Sequence, residues 1–198
     1  LKPEARPIEN GLVSPADAKL LAFEKIKEVN EFFVKGQKFT LSDFLQDELL
    51  AEKYENSALL IVRLAPNDYH RFHFPYSGFV SETKQINGRY FSVSPYALHQ
   101  DFTRVFVENK REYLTLKTEN KGEILLSPVG ATMVGTIIET YKPNSNIEKG
   151  DEMGYFAFGG STVVMLVDNQ HFTIDSDILE NTIDKIETSF LMGERIGK

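Results

Sequence analysis

The chain contains no cysteine. Disulfides, thiolate zinc sites and a cysteine nucleophile are therefore excluded, and redox chemistry gives no guide to the compartment. No apolar run approaches the roughly 20 residues of a membrane span, and the N-terminus carries no signal-peptide pattern. There is no G-x-G-x-x-G or P-loop fingerprint to cradle a nucleotide. Positive charge is in short supply: 22 Lys and Arg stand against 29 Asp and Glu, a formal net charge of -7. That balance gives no electrostatic reason to expect nucleic acid, and it opposes broad attraction to anionic lipid. The sequence also lacks an initiator Met and reads as a trimmed chain.

What remains is ordinary globular material. The 198 residues are 41% hydrophobic and 26% charged, enough for one domain with its own core. No internal repeat or linker divides it. Residues 1–11, with two prolines, read as an extended arm. EFFVKG (31–36) is strand-like. Thr40 or Ser42 is a candidate cap for a helix through SDFLQDELLAEKYEN (42–56), with Phe44, Leu45, Leu49 and Leu50 on one face. From Ala58 the texture changes to short Val-, Ile-, Phe- and Tyr-rich runs broken by Gly, Pro and Asn. ALLIVRLA, YHRFHF, GFVSE, GRYFSV, TRVFVEN, YLTLKT and GEILLSP all read as strands. A short helical piece is expected near 177–181, then a strand and turn in ETSFLMGERIG. The fold class is therefore α+β, predominantly antiparallel β, with a few short helices. Residues 128–155 resemble the barrel-sandwich hybrid of biotinyl and lipoyl carriers through PVGATMVGTI and KGDEMG, and they fit equally a Gly-punctuated antiparallel sheet.

Three stretches carry chemistry. Phe158-Gly159-Gly160-Ser161-Thr162 precedes the apolar strand VVMLV. Two glycines leave the Gly160–Ser161 peptide unhindered, which is what a hydroxyl needs to attack the preceding carbonyl. Alone, GGST is a weak motif, better read as a strand entered from a glycine turn. In LAPNDYHRFHFP, His70 and His73 lie three residues apart, and histidine is the side chain best suited to move protons near neutral pH. His-x-x-His could supply two metal ligands, but no third is evident nearby; metal is not expected. In SPADA, Asp17 either accepts backbone hydrogen bonds in a Ser-Pro turn or orients a histidine that activates a serine.

SPADA, LAPNDYHRFHFP, SPVGATMVG and KGDEMGYFAFGGSTVV, in this order and near these spacings, resemble the phosphatidylserine decarboxylase family. LKPEARPI, EFFVKGQKFT, FSVSPYAL-(x)7-VFVENKRE and ETSFLMGERIGK extend the resemblance across the whole chain, and GGST resembles the Gly-Gly subgroup. The resemblance implies one catalytic domain over 1–198 with a barrel-sandwich-like core. It implies self-cleavage between Gly160 and Ser161, giving a β chain of 1–160 and an α chain of 161–198. Ser161 matches the serine converted to a covalent pyruvoyl group, His73 the base of self-cleavage and Asp17 the aspartate that orients it. His70 matches the histidine of the decarboxylation step. Asp68, within the same motif, is given no chemical role. The implied reaction converts phosphatidylserine to phosphatidylethanolamine and CO2 through a Schiff base to the pyruvoyl group. A soluble decarboxylase of a free amino acid and a non-catalytic barrel-sandwich carrier are the alternatives. The implied partners are phosphatidylserine and, peripherally, a membrane surface, with a homodimer left open and no nucleic acid. Family members carry a segment ahead of LKPEARPI that assists membrane association. With no such segment here, membrane docking is in doubt and the chain as it stands is expected to be soluble.

Overall fold

The computed structural model describes residues 5–33, 38–131, 136–157 and 161–198. Its strands are β1 (Leu12–Val13), β2 (Ala18–Phe23), β3 (Ser57–Leu64), β4 (Arg71–His73), β5 (Gly78–Val80), β6 (Lys84–Ile86) and β7 (Arg111–Lys117). They continue with β8 (Glu123–Val129), β9 (Ile137–Glu139), β10 (Ser145–Ile147), β11 (Glu152–Phe156), β12 (Ser161–Asp168), β13 (Thr188–Phe190) and β14 (Arg195–Gly197). The helices are α1 (Ile26–Phe32), α2 (Leu41–Leu45), α3 (Glu48–Lys53), α4 (Pro95–Glu108) and α5 (Ser176–Ile183).

One nine-stranded sheet runs β10-β5-β7-β8-β12-β3-β2-β13, with β6 also on β7. Its strand pairings are antiparallel. The two central strands, SALLIVRL and STVVMLVD, are almost continuously apolar because both faces of the sheet are covered. On β12, Val163, Met165 and Val167 join one core, and Val164 and Leu166 the other. The first core is closed by the three-stranded sheet β4-β11-β9, by the β1-β14 pair and by α5. The second is closed by α1 to α4. The result is α+β, mostly antiparallel, with open sheets rather than a closed barrel.

Several local expectations are corrected. TRVFVEN is the end of α4, not a strand. Ser94 caps that helix by accepting from Ala97 N, Pro95 takes the first turn, and Leu98, Phe102, Val105 and Phe106 form its buried stripe. Helical period thus prevails over the β-branched composition. GRYFSV contributes only an isolated bridge, Arg89 to Asn109. EFFVKG begins inside α1; Phe33 stacks on Phe102 at 4.2 Å, and residues 34–36 lie outside the described set. The single helix expected over 42–56 is two. Thr40 does cap the first, but Gln46 turns left-handed (φ 49) and Asp47 caps the second. That break leaves Leu49 81% exposed, off the apolar face assigned to it.

Buried Arg111 ties the helical layer to the sheet. It is 1% exposed and donates to the carbonyls of Asp43, Phe44, Val107 and Asn109 rather than to a carboxylate. Two of these acceptors lie near the end of α2 and two at the end of α4, where backbone carbonyls lack helical partners.

Candidate active site

β4 delivers His73 to a narrow slot between two turns. Its backbone N donates to Pro15 O at 2.7 Å, and the next amide, of Phe74, donates to Asp151 O at 2.9 Å. Phe72 and Phe74 enter the core on either side of it in sequence, so alternation turns the His73 ring the other way. There Nδ1 lies 2.9 Å from Gly150 O. A carbonyl only accepts, so Nδ1 carries the hydrogen and the neutral ring keeps its lone pair on Nε2. That Nε2 is buried and has no partner among the described residues. Burial, the largest influence, holds the His73 pKa below its ordinary value, while the Gly150 carbonyl and Glu152 act against the shift. Geometry and burial both favour the neutral imidazole, whose Nε2 lone pair is buried and without a partner among the described residues.

His70 is set the opposite way. Its Nε2 lies 3.2 Å from Pro66 O, which assigns the hydrogen to Nε2, and Nδ1 is the buried atom without a partner. The two histidines thus use different carbonyls and expose different nitrogens. Asp68, next to them in the motif, accepts from Ala65 N and from Lys19 Nζ; it shapes the turn leading to β4.

Ser161 opens β12, opposite Leu64 of β3, and is fully buried. Its Oγ has no hydrogen-bond partner among the described residues, nor does Thr162 Oγ1. Gly160 and the peptide bond expected to break lie outside the described residues. The fold brings the serine and the histidines to one end of the molecule: β3 ends at Leu64 beside Ser161, the 65–70 loop carries His70, and His70 O accepts from Phe156 N. Since Ser161 Oγ and His73 Nε2 are both unpartnered, they do not bond each other in this arrangement.

Asp17 sits in the turn before β2, adjacent to His73 through the Pro15 carbonyl. Its carboxylate faces Arg6, not the His73 ring. Arg6 Nε and Nη2 bind Oδ1 and Oδ2 at 2.9 and 2.6 Å, and Met192 N donates to Oδ1 at 2.9 Å. Burial alone would raise its pKa, but the Arg6 and Met192 hydrogen bonds outweigh it and keep the carboxyl below the usual range. The sequence reading missed two participants. Gly150 was expected at a tight turn, and its φ of +90° agrees, but its part here is played by its carbonyl, which any residue possesses. Arg6 lies in the arm, where nothing in the local pattern points to Asp17.

A cleft of about 340 Å3 opens beside this group, lined among others by Asp17, Lys19, Asp68, Tyr69, Phe190 and Leu191. The Tyr69 ring stacks beside His73 with centroids 6.1 Å apart. A larger cavity of about 630 Å3 lies along α1 to α3 and contains none of Asp17, His70, His73 or Ser161.

Ser161 thus lies buried at the head of β12, and the segment that follows its neighbour β3 carries two histidines whose hydrogen bonds fix opposite tautomers. The sequence matches the family described as phosphatidylserine decarboxylase over residues 1–198, and the chain belongs to that family. It is 56% identical over 200 residues to a phosphatidylserine decarboxylase proenzyme of Fusobacterium nucleatum, covering all of this chain and 66% of that protein. Proenzymes of the same description from Clostridium perfringens and Clostridium tetani are 48% and 46% identical, with 68% and 67% of their lengths covered. The chain thus spans about two thirds of the length of these relatives.

Proposed function

We propose that this chain is the catalytic unit of a self-processing decarboxylase that converts phosphatidylserine to phosphatidylethanolamine and CO2. The observation that carries the reading is the trio of buried, unpartnered polar atoms: Ser161 Oγ, His73 Nε2 and His70 Nδ1. Buried polar atoms are almost always satisfied, and exceptions concentrate where chemistry needs them. Here three fall on the residues singled out by the motif.

In self-processing, His73 Nε2 takes the Ser161 hydroxyl proton, and Oγ attacks the Gly160 carbonyl carbon. The C–N bond breaks, the acyl group passes to oxygen and the proton goes to the departing nitrogen. Elimination then removes the Cα proton of residue 161 to a base and breaks the Cβ–Oγ bond, which releases the 1–160 chain as a carboxylate and leaves a dehydroalanine. Hydrolysis of the remaining enamine expels ammonia and leaves a pyruvoyl group at the head of 161–198. This sequence of steps requires the start of β12 to bring Oγ to Nε2, a closure of the gap seen here. The surroundings suit the group: it would replace a serine whose side chain is buried at the strand head without a hydrogen-bond partner among the described residues. Such a group supplies a carbonyl for the substrate amine and an electron sink for loss of CO2. The chain's own part is to exclude water, to hold the serine headgroup and to return a proton to the substrate α-carbon, a task assigned to His70 Nδ1.

The 340 Å3 cleft beside Tyr69 is the proposed headgroup site, with Lys19 at its wall as a cation for the phosphate or carboxylate. No helix among the described residues is long and apolar enough to cross a membrane. The lipid is reached at a surface, and Ile183, Ile186 and Leu191, exposed by 78%, 54% and 44% in the C-terminal stretch that also lines the cleft, are the proposed contact. The direct assay is CO2 release from vesicles containing phosphatidylserine labelled in the serine carboxylate, run beside free serine. Release from the lipid at a rate far above that from serine supports the reading. Equal or preferential release from serine contradicts the lipid substrate, and no release from either contradicts the activity.

A further inference from the structure

The 340 Å3 cleft and the His73 ring share one residue. The cleft is lined by Asp17 and Tyr69 but not by His73. His73 is 9% exposed, and its Nε2 is buried. Tyr69 belongs to both places: it lines the cleft, and its ring stacks on the His73 ring with planes inclined by 25°. It is half-buried and lies in neither a strand nor a helix, yet the chain is anchored on each side of it. Before it, Asp68 accepts from Ala65 N and binds Lys19 Nζ. After it, the His70 carbonyl accepts from Phe156 N, and Arg71 enters the ladder opposite Tyr155. These anchors fix where the Tyr69 ring stands.

We propose that Tyr69 is a positioning residue whose ring forms the wall between the cleft and His73, keeping cleft water off the imidazole. The wall is a property of the fold; its functional meaning rests on the reading of His73 as base. An aromatic face suits the task, because it covers a large area without adding a charge. Burial first raises the Tyr69 pKa, which keeps the phenol neutral. His73 owes its lowered pKa first to burial as well. The charged groups near it are paired: Arg71 with Glu152, and Arg6 with Asp17. Removing the Tyr69 ring alters none of these charges. It admits water to the imidazole, which favours the protonated form and raises the pKa.

The test is diethyl pyrocarbonate labelling of the folded full chain carrying Ser161→Ala, which stays uncut under the proposed chemistry. The reagent acylates unprotonated imidazole nitrogens that solvent can reach. Tryptic digestion after labelling cuts behind Arg71 and places His70 and His73 in separate peptides; His171, with its side chain 42% exposed, is the internal reference. His73 should label slowly beside His171. Tyr69→Ala should speed His73 labelling by roughly tenfold relative to His171 and raise its NMR titration by about 0.5–1 unit. Tyr69→Phe, which keeps the ring, should label as its parent does. Tyr69→Leu should change His73 in the same direction by less, and carries the test if Tyr69→Ala does not fold. With serine kept at 161, the acid limb of self-cleavage in Tyr69→Ala should move up by as much as the titration, since only neutral imidazole takes the hydroxyl proton. A merely structural role would slow cleavage at every pH and leave the limb in place. A folded Tyr69→Ala chain with unchanged His73 labelling and titration would overturn the wall, as would a Tyr69→Phe chain as reactive as Tyr69→Ala. If the chain with Ser161 never cleaves, the decarboxylase reading fails, and the labelling still decides the wall.

Discussion

A buried hydroxyl and two buried imidazole nitrogens without partners each cost folding about 1–3 kcal/mol. Ser161, His70 and His73 bear that cost within one end of the fold. Under the proposed mechanism their tautomers divide the work. His73 presents Nε2 and His70 presents Nδ1, so the two cannot substitute for each other by a ring flip without losing a carbonyl bond. His73→Ala should therefore leave the chain uncut, whereas His70→Ala should still cut and then lose at least 100-fold in CO2 release, a typical scale for a general acid or base. A gel for cleavage and a CO2 assay for turnover check both. Normal cutting by His73→Ala, or full turnover by His70→Ala, would reverse the assignment. The motif residues are picked out in the sequence through the family resemblance, and Ser161, His70 and His73 among them carry buried atoms without partners in the described structure. The part played by Gly150 was not legible, since a carbonyl partner leaves no trace in residue type, and neither was the Arg6–Asp17 pair, which joins segments by folding alone.

Among the elements, the central strands and α5 follow directly from their sequence patterns, and the misreadings have a common cause. TRVFVEN and EFFVKG are rich in β-branched and aromatic residues, yet both belong to the layer that packs Phe23, Phe32, Phe33, Phe39 and Phe102 together. Tertiary packing of that aromatic cluster decides the conformation over local propensity. A second feature of the elements concerns Glu112 on β7, 2% exposed, with Oε2 unpartnered. Burial first, and the neighbouring Glu139 carboxylate second, push its pKa up to about 7. The folded chain thus keeps a proton that the unfolded chain releases near 4.5. The stability this contributes is fully present below that value, is lost as pH rises towards about 7, and changes no further above it. Glu112→Gln, a permanently neutral mimic, should raise Tm at pH 8 by on the order of 5 °C and leave it nearly unchanged at pH 4.5. Equal Tm shifts at the two pH values would show that the carboxyl is not protonated in the fold.

At the scale of the whole molecule, the segment 161–198 is woven through the rest. β12 lies between β3 and β8, β13 pairs with β2, β14 pairs with β1, and α5 packs on β2. Cutting before Ser161 therefore frees a chain end without freeing a fragment. The two products should coelute on size exclusion in native buffer and separate only in denaturant; separation without denaturant would be inconsistent with this topology. The same weave explains how a site can be made by breaking the backbone: the strand that bears the new group is held at the centre of the sheet on both sides. Intact mass spectrometry of the purified chain, alongside Ser161→Ala, tests the central claim most directly. The account predicts two species, residues 1–160 and a 38-residue 161–198 chain (198 − 160 = 38) that begins with a pyruvoyl group in place of serine, and a single uncut chain for Ser161→Ala. An uncut wild-type chain under conditions where it is folded, or cleavage at the same bond in Ser161→Ala, would contradict it.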